Sequence, residues 1–345
     1  MPLRLVRLAA ITVLLLAVAW LSMLVLAYIG SPTKDMSTVI SQGTAQFFNA
    51  LAAGGIYALI AVGYTMVYGI IELINFAHGD VFMVGTFVAY FIANKFLGFT
   101  GAIADPIVLV GVLGIMFLIT MPLLGLLGVG IERFAYRPLR NAPRLAPLLT
   151  AIGVSFILLN VVQIAVTASP VPVPQLISLS TRFELFGASI PYLYLLIFAV
   201  AIALMIGLQV FVGRTRLGRA MRSTAQDRDA AQLMGVDINT TIALTFFIGS
   251  ALAGAAGVIY VLYYGQTQFT IGFFAGLKAF TAAVLGGIGN TVGAALGGMI
   301  IGFIEVAAVV VGLPRWSEAL VFAVLIIVLV LRPSGLLGVP LGERA

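Results

Sequence analysis

The sequence predicts an all-α fold, a polytopic transmembrane helical bundle of about ten segments with an inverted internal repeat. Of the 345 residues, 62% are hydrophobic and only 9% are charged. Soluble domains carry roughly 25% charged residues, so this composition argues against a soluble enzyme, a nucleic-acid-binding protein or a disordered protein. The chain is therefore expected to be embedded in a lipid bilayer.

Long stretches without charge are the second observation behind this prediction. A membrane-spanning helix needs about 20 apolar residues. Strands of a transmembrane barrel instead alternate polar and apolar residues over roughly 10 residues, which these continuously apolar stretches do not do. Asp, Glu, Lys and Arg are absent from residues 8–33, 36–71, 106–131, 145–181, 185–213, 238–277 and 279–304.

Ten hydrophobic segments follow one another along the chain. The first comes after Arg4 and Arg7 and exceeds the roughly 7–15 apolar residues of a signal peptide, so we expect an uncleaved anchor. Glu72 lies between the second and third segments, and a polar loop over residues 213–239 separates the sixth from the seventh. The predicted segments are 8–30, 46–70, 73–93, 107–130, 146–168, 190–212, 240–264, 272–289, 291–311 and 316–331.

The basic residues predict the orientation of the segments, because loops on the cytoplasmic side carry an excess of Lys and Arg. With ten crossings, both termini are cytoplasmic. If 272–289 only re-enters the membrane, nine crossings result and the bias weakens. In the ten-crossing arrangement the outer side holds Lys34, Lys95, Arg182 and Arg315, and the inner side holds Arg4, Arg7, Arg133, Arg137, Arg140, Arg144, Arg214, Arg216, Arg219, Arg222, Arg228, Arg332 and Arg344.

The chain reads as a single transmembrane domain over residues 1–345 with two internal repeats. In each of residues 46–168 and 240–331, a helix rich in small residues runs into a polar or Gly-rich break and then into another apolar run. With ten crossings these stretches enter the membrane from opposite sides. That parity is typical of inverted-repeat transporters.

A polar cluster after the second segment is the first candidate site. Residues Ile74-Asn-Phe-Ala-His-Gly-Asp80 follow Glu72 between two apolar runs, and ionisable groups at membrane depth usually face protein or a water-filled cavity. One interpretation is a break lining a translocation path or gate. The other is an ordinary short turn, with Asn75 or Asp80 capping the next helix. The candidate path residues are Glu72, Asn75, His78, Gly79 and Asp80.

The loop over residues 213–239 is the second candidate site. Leu217, Met221, Ala225, Ala231 and Met234 recur at intervals compatible with short amphipathic helices. Orientation alone needs only a few Arg residues, so we favour a cytoplasmic docking surface over a loop that merely sets topology. Gly235 suits a helix end and Asp237 or Asn239 suits the next cap.

The late Gly-rich segment Leu285-Gly-Gly-Ile-Gly-Asn290 is singled out as well, with Gly286, Gly287, Gly289 and Asn290 as its members. The spacings Gly293-x-x-x-Gly297 and Gly298-x-x-x-Gly302 predict close helix packing. Lys278 and Glu305 are candidate charges within the membrane, with three interpretations open: they pair with each other, line a cavity or simply lie near helix ends.

Several chemistries are not expected. The chain has one His and no Cys, so no metal site is expected, and no nucleophile–base pair indicates catalysis. The phosphate-binding motif places Gly directly before Lys, whereas Lys34, Lys95 and Lys278 follow Thr, Asn and Leu. The chain is therefore expected to bind no cofactor and to have no ATP site of its own.

Three separated motifs resemble the membrane subunits of branched-chain amino acid ABC importers, the LivH-type permeases. They are Ile74–Asp80, the loop with Arg216-Leu-Gly-Arg-Ala-Met-Arg222 and Ala225–Gly235, and Phe280–Asn290. Within the loop, Asp229-Ala-Ala-Gln-Leu-Met-Gly235 is similar to the pattern E-A-A-x-x-x-G through which such permeases dock their ATPases. The resemblance covers about residues 45–335 and assigns Arg216, Arg219, Arg222, Asp229, Ala230, Ala231 and Gly235 to an ATPase coupling loop.

The resemblance implies a multi-pass permease of the bacterial inner membrane that is not itself an enzyme. It implies a second homologous permease, two cytoplasmic ATPase subunits that use ATP, and a periplasmic substrate-binding protein, with no nucleic acid. Transport would follow ATP-driven alternating access. Two alternatives stay open: a related importer for urea, amides or other amino acids, and an ion-coupled secondary transporter.

Overall fold

A computed structural model of the chain describes residues 2–31, 35–140, 142–143 and 145–338, with side chains in the first helix from residue 14 onward. Of the basic residues counted for topology, Arg4, Arg7, Lys34, Arg144 and Arg344 lie outside the described side chains. The helices are α1 Pro2–Gly30, α2 Met36–Ile71, α3 His78–Tyr90, α4 Pro106–Ile131, α5 Leu145–Ala165, α6 Tyr192–Arg214, α7 Arg216–Gln226, α8 Arg228–Leu233, α9 Ile238–Tyr264, α10 Ile271–Gly286, α11 Thr291–Val310 and α12 Ser317–Leu331.

The predicted helical membrane bundle is confirmed. Ten of these helices are apolar and correspond to the ten predicted segments, while α7 and α8 form the polar loop between α6 and α9. Seven helical stretches in the described chain are long and apolar enough to cross a membrane. The predicted segment ends hold within a few residues, except at three starts: α1 begins at Pro2 instead of 8, α2 at Met36 instead of 46 and α3 at His78 instead of 73.

In the part of the chain that the structure describes, four short strands interrupt the helical fold. β2 Arg182–Leu185 and β3 Ala188–Pro191 form a hairpin between α5 and α6. β1 Val171–Pro172 pairs antiparallel with β4 Gln266–Thr267. Two further helical turns continue neighbouring helices in π geometry, over Phe91–Phe96 after α3 and Glu132–Tyr136 after α4.

Two helices form the centre of the bundle. In α2, 94% of the most apolar window is buried inside the protein, whereas the figure for the stretch containing α12 is 6%. The second central helix, α9, is largely buried too, and both are rich in Ala and Gly. Peripheral helices instead expose Leu, Ile, Val and Phe side chains, as lipid contact requires.

Small residues set the distance between the central helices and their neighbours. A Cβ on Gly298 or Gly302 of α11 would overlap the backbone of α2 at Ala58 or Gly54. On the other side, Gly254 of α9 faces Thr120 and Leu124 of α4. Inside a bilayer the hydrophobic effect does not drive helices together, because the lipid is itself apolar. Close backbone approach instead stabilises the helix pairs through van der Waals contacts. The predicted packing role of the Gly-x-x-x-Gly spacings is confirmed.

The helices alternate between two ends of the bundle. We call the end that carries α7 and α8 the loop end, and the end that carries the β2–β3 hairpin the hairpin end. Ser41 near the start of α2 donates to the carbonyl of Gly187 in the hairpin at 2.9 Å, and Ile70 near its finish accepts from Arg228 at the loop end. α2 therefore runs from the hairpin end to the loop end.

Candidate functional site

The predicted polar cluster forms a break between α2 and α3. Glu72 has a left-handed backbone (φ 55°) that ends α2 while its N–H still donates to the Tyr68 carbonyl at 2.8 Å. Residues 73–77 are not helical, and α3 starts at His78. Glu72 is exposed, but Asn75, His78 and Asp80 are buried. The cluster thus re-enters the bundle and is not a surface turn.

His78 lies at the centre of the bundle with no exposed surface. Its ring meets that of Tyr64 edge-on, with centroids 4.6 Å apart. A Cβ on Gly63 would overlap the imidazole, so α2 can approach α3 here only through glycine. Neither ring nitrogen makes a well-aligned hydrogen bond to a described residue, although the Ile60 backbone lies near.

The predicted capping role of Asn75 or Asp80 is wrong. The residue before α3 is Ala77, and no side chain among the described residues caps the helix. The side-chain oxygen of Asn75 is taken by the hydroxyl of Tyr136, which donates to it at 3.1 Å. Asp80 lies within the first turn of α3, where a negative charge is favoured by the helix dipole. Neither side chain therefore caps α3, and that of Asn75 is held by a contact with a distant part of the chain.

The N-termini of α3 and α10 meet inside the bundle. Gly79 packs against the backbone of Gly272 and Gly276 so closely that a Cβ on it would overlap them. α3 has 13 residues and is extended by the 6-residue π-helical turn, and α10 has 16 residues, so the two are only ~28 and ~24 Å long. Both are shorter than the roughly 30 Å hydrocarbon core and begin inside the bundle, so both are discontinuous at depth.

An apolar pocket of about 460 Å³ opens beside this meeting point. It lies between α3, α5 and α10, with Phe76, Phe156 and Phe280 among its walls. Asp80 is its acidic group, and the hydroxyl of Ser155 on α5 donates to one Asp80 carboxylate oxygen. Ser155 is a pocket residue that the sequence analysis did not identify, because nothing in the sequence of α5 connects it to Asp80.

A second cavity, of about 420 Å³, lies at the loop end and joins the two predicted sites. Glu72 of the break and Asp229 of the loop both line it. Beside them, Arg228 donates from Nη2 to the carbonyl of Ile70 in the last turn of α2 at 2.9 Å. Sequence reasoning counted Arg228 only for topology, yet it ties α8 directly to the helix that precedes the break.

The polar loop contains the two short helices that its spacing predicted. Arg216, Arg219 and Arg222 lie exposed on α7, and Arg222 also donates to the Val212 carbonyl. In the second helix, Asp229 and Ala230 are exposed and Ala231 is buried.

The end of α8 is unusually apolar for a surface. Leu233 and Met234 expose 88% and 85% of their area. Gly235 follows with φ 85°, as predicted for a helix end. Asp237 caps α9 by accepting from the N–H groups of Asn239 and Thr240, and the side-chain hydrogen bond from Thr240 is the main reason that its pKa lies below the ordinary value.

A buried ion pair sits next to the loop-end cavity. Glu132 has no exposed surface and binds Arg137 at 2.7 Å and also Arg140. The guanidinium of Arg140 reaches Asn239 at the start of α9 at 2.6 Å. The continuation of α4 is thereby joined to α9. Sequence reasoning missed Glu132, whose only signal was a single acid at the end of an apolar run.

The late Gly-rich segment is the tight turn between α10 and α11, also at the loop end. Gly287 and Gly289 have φ of 105° and 92°, which side chains with a Cβ rarely adopt. A Cβ on Gly286 would overlap the Gly293 backbone. Asn290 caps α11 by accepting from Gly293 N at 3.0 Å, and its amide donates to the Leu337 carbonyl at 2.8 Å.

Alanine at Asn290 is expected to lower the unfolding free energy by about 1 kcal/mol, the usual cost of losing a helix cap. Aspartate at the same position keeps the acceptor for Gly293 and loses only the donor to Leu337, so it should lie between alanine and the natural residue. Thermal unfolding of the detergent-purified protein measures both changes. Equal unfolding temperatures for all three proteins would show that the cap contributes nothing.

The intramembrane charges Lys278 and Glu305 pair at 3.0 Å, as the sequence suggested. Glu318 at the start of α12 lies 3.7 Å from the same ammonium, and the Tyr57 ring lies 5.8 Å from it. In the part of the chain that the structure describes, no three His, Cys, Asp or Glu side chains are grouped to hold a metal ion.

Comparison with known proteins identifies one matching family and several similar proteins. The family described as "Branched-chain amino acid transport system / permease component" matches residues 46–329. The permease protein BraD of a high-affinity branched-chain amino acid transport system in Pseudomonas aeruginosa is 44% identical over 302 residues, which cover 87% of this chain and 97% of that protein.

Similar proteins come from other organisms as well. LivH of the corresponding system in Escherichia coli K12 is 42% identical over 87% of this chain and 96% of its own length. A probable LivH of Methanocaldococcus jannaschii is 27% identical over 84% of this chain and 91% of its own. No solved structure matches the chain.

Proposed function

Because this chain belongs to the family of permease components of branched-chain amino acid transport systems, we propose that it is one membrane-spanning subunit of an ABC importer for branched-chain amino acids. The observation that carries the proposal is the similarity to BraD and LivH, which extends over most of the chain. Transporters commonly bind their substrates where two discontinuous helices meet at membrane depth, as α3 and α10 do in this bundle.

The proposed assembly has a second homologous permease, two cytoplasmic ATPase subunits and a periplasmic substrate-binding protein. ATP is hydrolysed by the ATPase subunits, and this chain binds no cofactor. The apolar tip formed by Leu233 and Met234, next to Asp229, Ala230 and Gly235, supports a docking surface for an ATPase. Large apolar side chains that protrude from a basic loop are costly in water and gain most from being covered by a partner.

Coupling would run from α8 to the break. Closure of the ATPase dimer displaces α7 and α8, and Arg228 carries the displacement to the last turn of α2 through the Ile70 carbonyl. The left-handed Glu72 lies directly after that turn and lines the same cavity. The path residues Asn75, His78, Gly79 and Asp80 follow, so a shift of the break alters access to the bundle centre from the loop end.

The loop end is proposed to face the cytoplasm of the bacterial inner membrane, with both termini on that side. Support comes from the distribution of described basic residues, since cytoplasmic loops collect Lys and Arg. Lys95, Arg182 and Arg315 belong to the hairpin end, and the loop end has Arg133, Arg137, Arg140, Arg214, Arg216, Arg219, Arg222, Arg228 and Arg332.

Residues 46–168 and 240–331 are proposed to be inverted repeats, with α2 to α5 corresponding to α9 to α12. The packing supports this correspondence. α2 packs along α11 as α9 packs along α4, and α3 packs on α9 as α10 packs on α2. Two equivalent halves that move against each other would provide the alternating access that import requires.

Purification of the tagged chain from its native membranes in mild detergent tests this function. We expect a nucleotide-binding subunit and a second permease to copurify, together with ATPase activity. Loading of the copurified binding protein with urea, an amide or another amino acid would instead assign the substrate of a related importer. A chain that purifies alone and moves solute along an imposed ion gradient would be a secondary transporter.

A further inference from the structure

We propose that the pocket between α3, α5 and α10 binds an aliphatic α-amino acid, whose ammonium group is received by Asp80. The inference rests on the proposed function, because a site for a transported amino acid presupposes that this chain is a subunit of an importer. The family membership does not say where in the chain the substrate binds, and the inference assigns that site and the residue that receives the ammonium group.

The state of the Asp80 carboxylate is the first argument. The side chain is only 2% exposed. One oxygen accepts from Ser155, while Oδ1 is buried against Gly272 and has no hydrogen-bond partner among the described residues. Asp80 and Gly272 both belong to the wall of the pocket. Buried carboxylates are normally paired or fully hydrogen-bonded. An unpartnered carboxylate oxygen in the wall of a pocket therefore points to a ligand that donates a hydrogen bond, and an ammonium group can donate three.

The start of α10 supplies the opposite polarity on the same wall. The helix begins at Ile271, and its N-cap residue Thr270 makes no capping hydrogen bond. Gly272 in its first turn lies against Asp80. The first-turn amides of a helix lack intrahelical acceptors, and the dipole there favours negative charge. The wall thus offers an anionic group for an ammonium and amide donors for a carboxylate, side by side.

The remaining walls match an aliphatic side chain. Phe76, Phe156 and Phe280 line the pocket together with Ile152 and Leu277. Its volume of about 460 Å³ lies within the roughly 300–1,000 Å³ of small-molecule sites. Urea and simple amides have neither an ammonium group nor an aliphatic chain to fill this space. The pocket therefore favours a branched-chain amino acid over those solutes.

Asparagine at Asp80 tests the ammonium contact, since it keeps the size and an acceptor for Ser155 but loses the charge. In the reconstituted complex, leucine uptake should fall by at least about 30-fold, as expected when one partner of a buried charge pair is neutralised. ATPase stimulation by loaded binding protein should persist. The matched control, Glu184→Gln in the exposed β2 strand, should transport normally.

Cysteine labelling gives a second measurement that does not need transport. The natural chain contains no Cys, so Ser155→Cys places its single thiol beside Asp80. We expect leucine to protect this thiol from aminoethyl methanethiosulfonate, and 4-methylpentanoate, which lacks the amino group, to protect at least about tenfold less, the equivalent of about 1.4 kcal/mol. The mass of the intact chain measures the modification in membranes.

The outcomes separate the site from the function. If the natural complex takes up leucine but the Asp80→Asn complex does so equally well, or if leucine and 4-methylpentanoate protect Ser155→Cys alike, the amino-acid pocket is wrong and the importer stands. If the natural complex takes up no leucine with its ATPase partners present, the proposed function fails. In that case the protection of Ser155→Cys by leucine still tests whether the pocket binds an amino acid.

Discussion

Serine at both Leu233 and Met234 is expected to weaken binding of the ATPase subunit by about 100-fold or more, and uptake should fall with it. Covering one Leu or Met side chain contributes about 1.5–3 kcal/mol, so removing two costs at least ~3 kcal/mol. Both side chains are almost fully exposed at the end of α8, so their loss should leave the permease fold intact. Copurification of the ATPase at a series of detergent-solubilised concentrations measures the change.

The control is Leu313→Ser, which removes an exposed apolar side chain between α11 and α12 at the hairpin end. It should leave ATPase binding unchanged. Undiminished copurification with Leu233→Ser and Met234→Ser combined would mean that the ATPase docks elsewhere. Loss of copurification in both proteins would point to a general defect and would also remove the support for docking at α8.

Valine at Gly302 is expected to prevent assembly of the bundle. A Cβ there would overlap the backbone of Gly54, which cannot yield as a side chain can. Overpacking usually costs about 1–3 kcal/mol, and separation of α11 from α2 adds the loss of a long contact between the two helices. The amount of folded protein recovered from membranes, measured by fluorescence-detected gel filtration, should fall by at least about tenfold, the equivalent of 1.4 kcal/mol.

Gly130→Val is the matched control, because this residue also lies inside a helix, in α4, and nothing is within 4 Å of a Cβ built on it. Valine at Gly130 should give nearly the natural yield. Equal yields from Gly302→Val and Gly130→Val would contradict the close α2–α11 approach on which the fold depends.

The sequence was enough to predict the helices, because a charge within the bilayer core is so costly that charge-free stretches mark the spans. It also predicted the helical character of the polar loop, and it gave the pairing of Lys278 with Glu305 as one of three alternatives. These predictions depend on local composition or on charges that need partners wherever they lie. The same reasoning correctly marked Ile74–Asp80 as unusual.

The position and contacts of the candidate site residues could not be predicted, because they depend on contacts between parts of the chain that are far apart in sequence. The spacing of residues 72–80 is equally compatible with a surface turn, and only the approach of Gly63 and Gly272 shows that the cluster lies inside the bundle. Asn75 could have capped α3 but is taken by Tyr136, 61 residues away. The links from Ser155 to Asp80 and from Arg228 to Ile70 likewise join helices that no local pattern relates.

Uptake by reconstituted vesicles tests the central claim most directly. The chain, its second permease and the ATPase subunits are placed in liposomes with ATP on the loop-end side and loaded binding protein on the other. We predict that leucine accumulates against its gradient, and that omission of ATP or of the ATPase subunits abolishes this. Uphill accumulation by the chain alone, driven by an ion gradient without any ATPase present, would contradict the account.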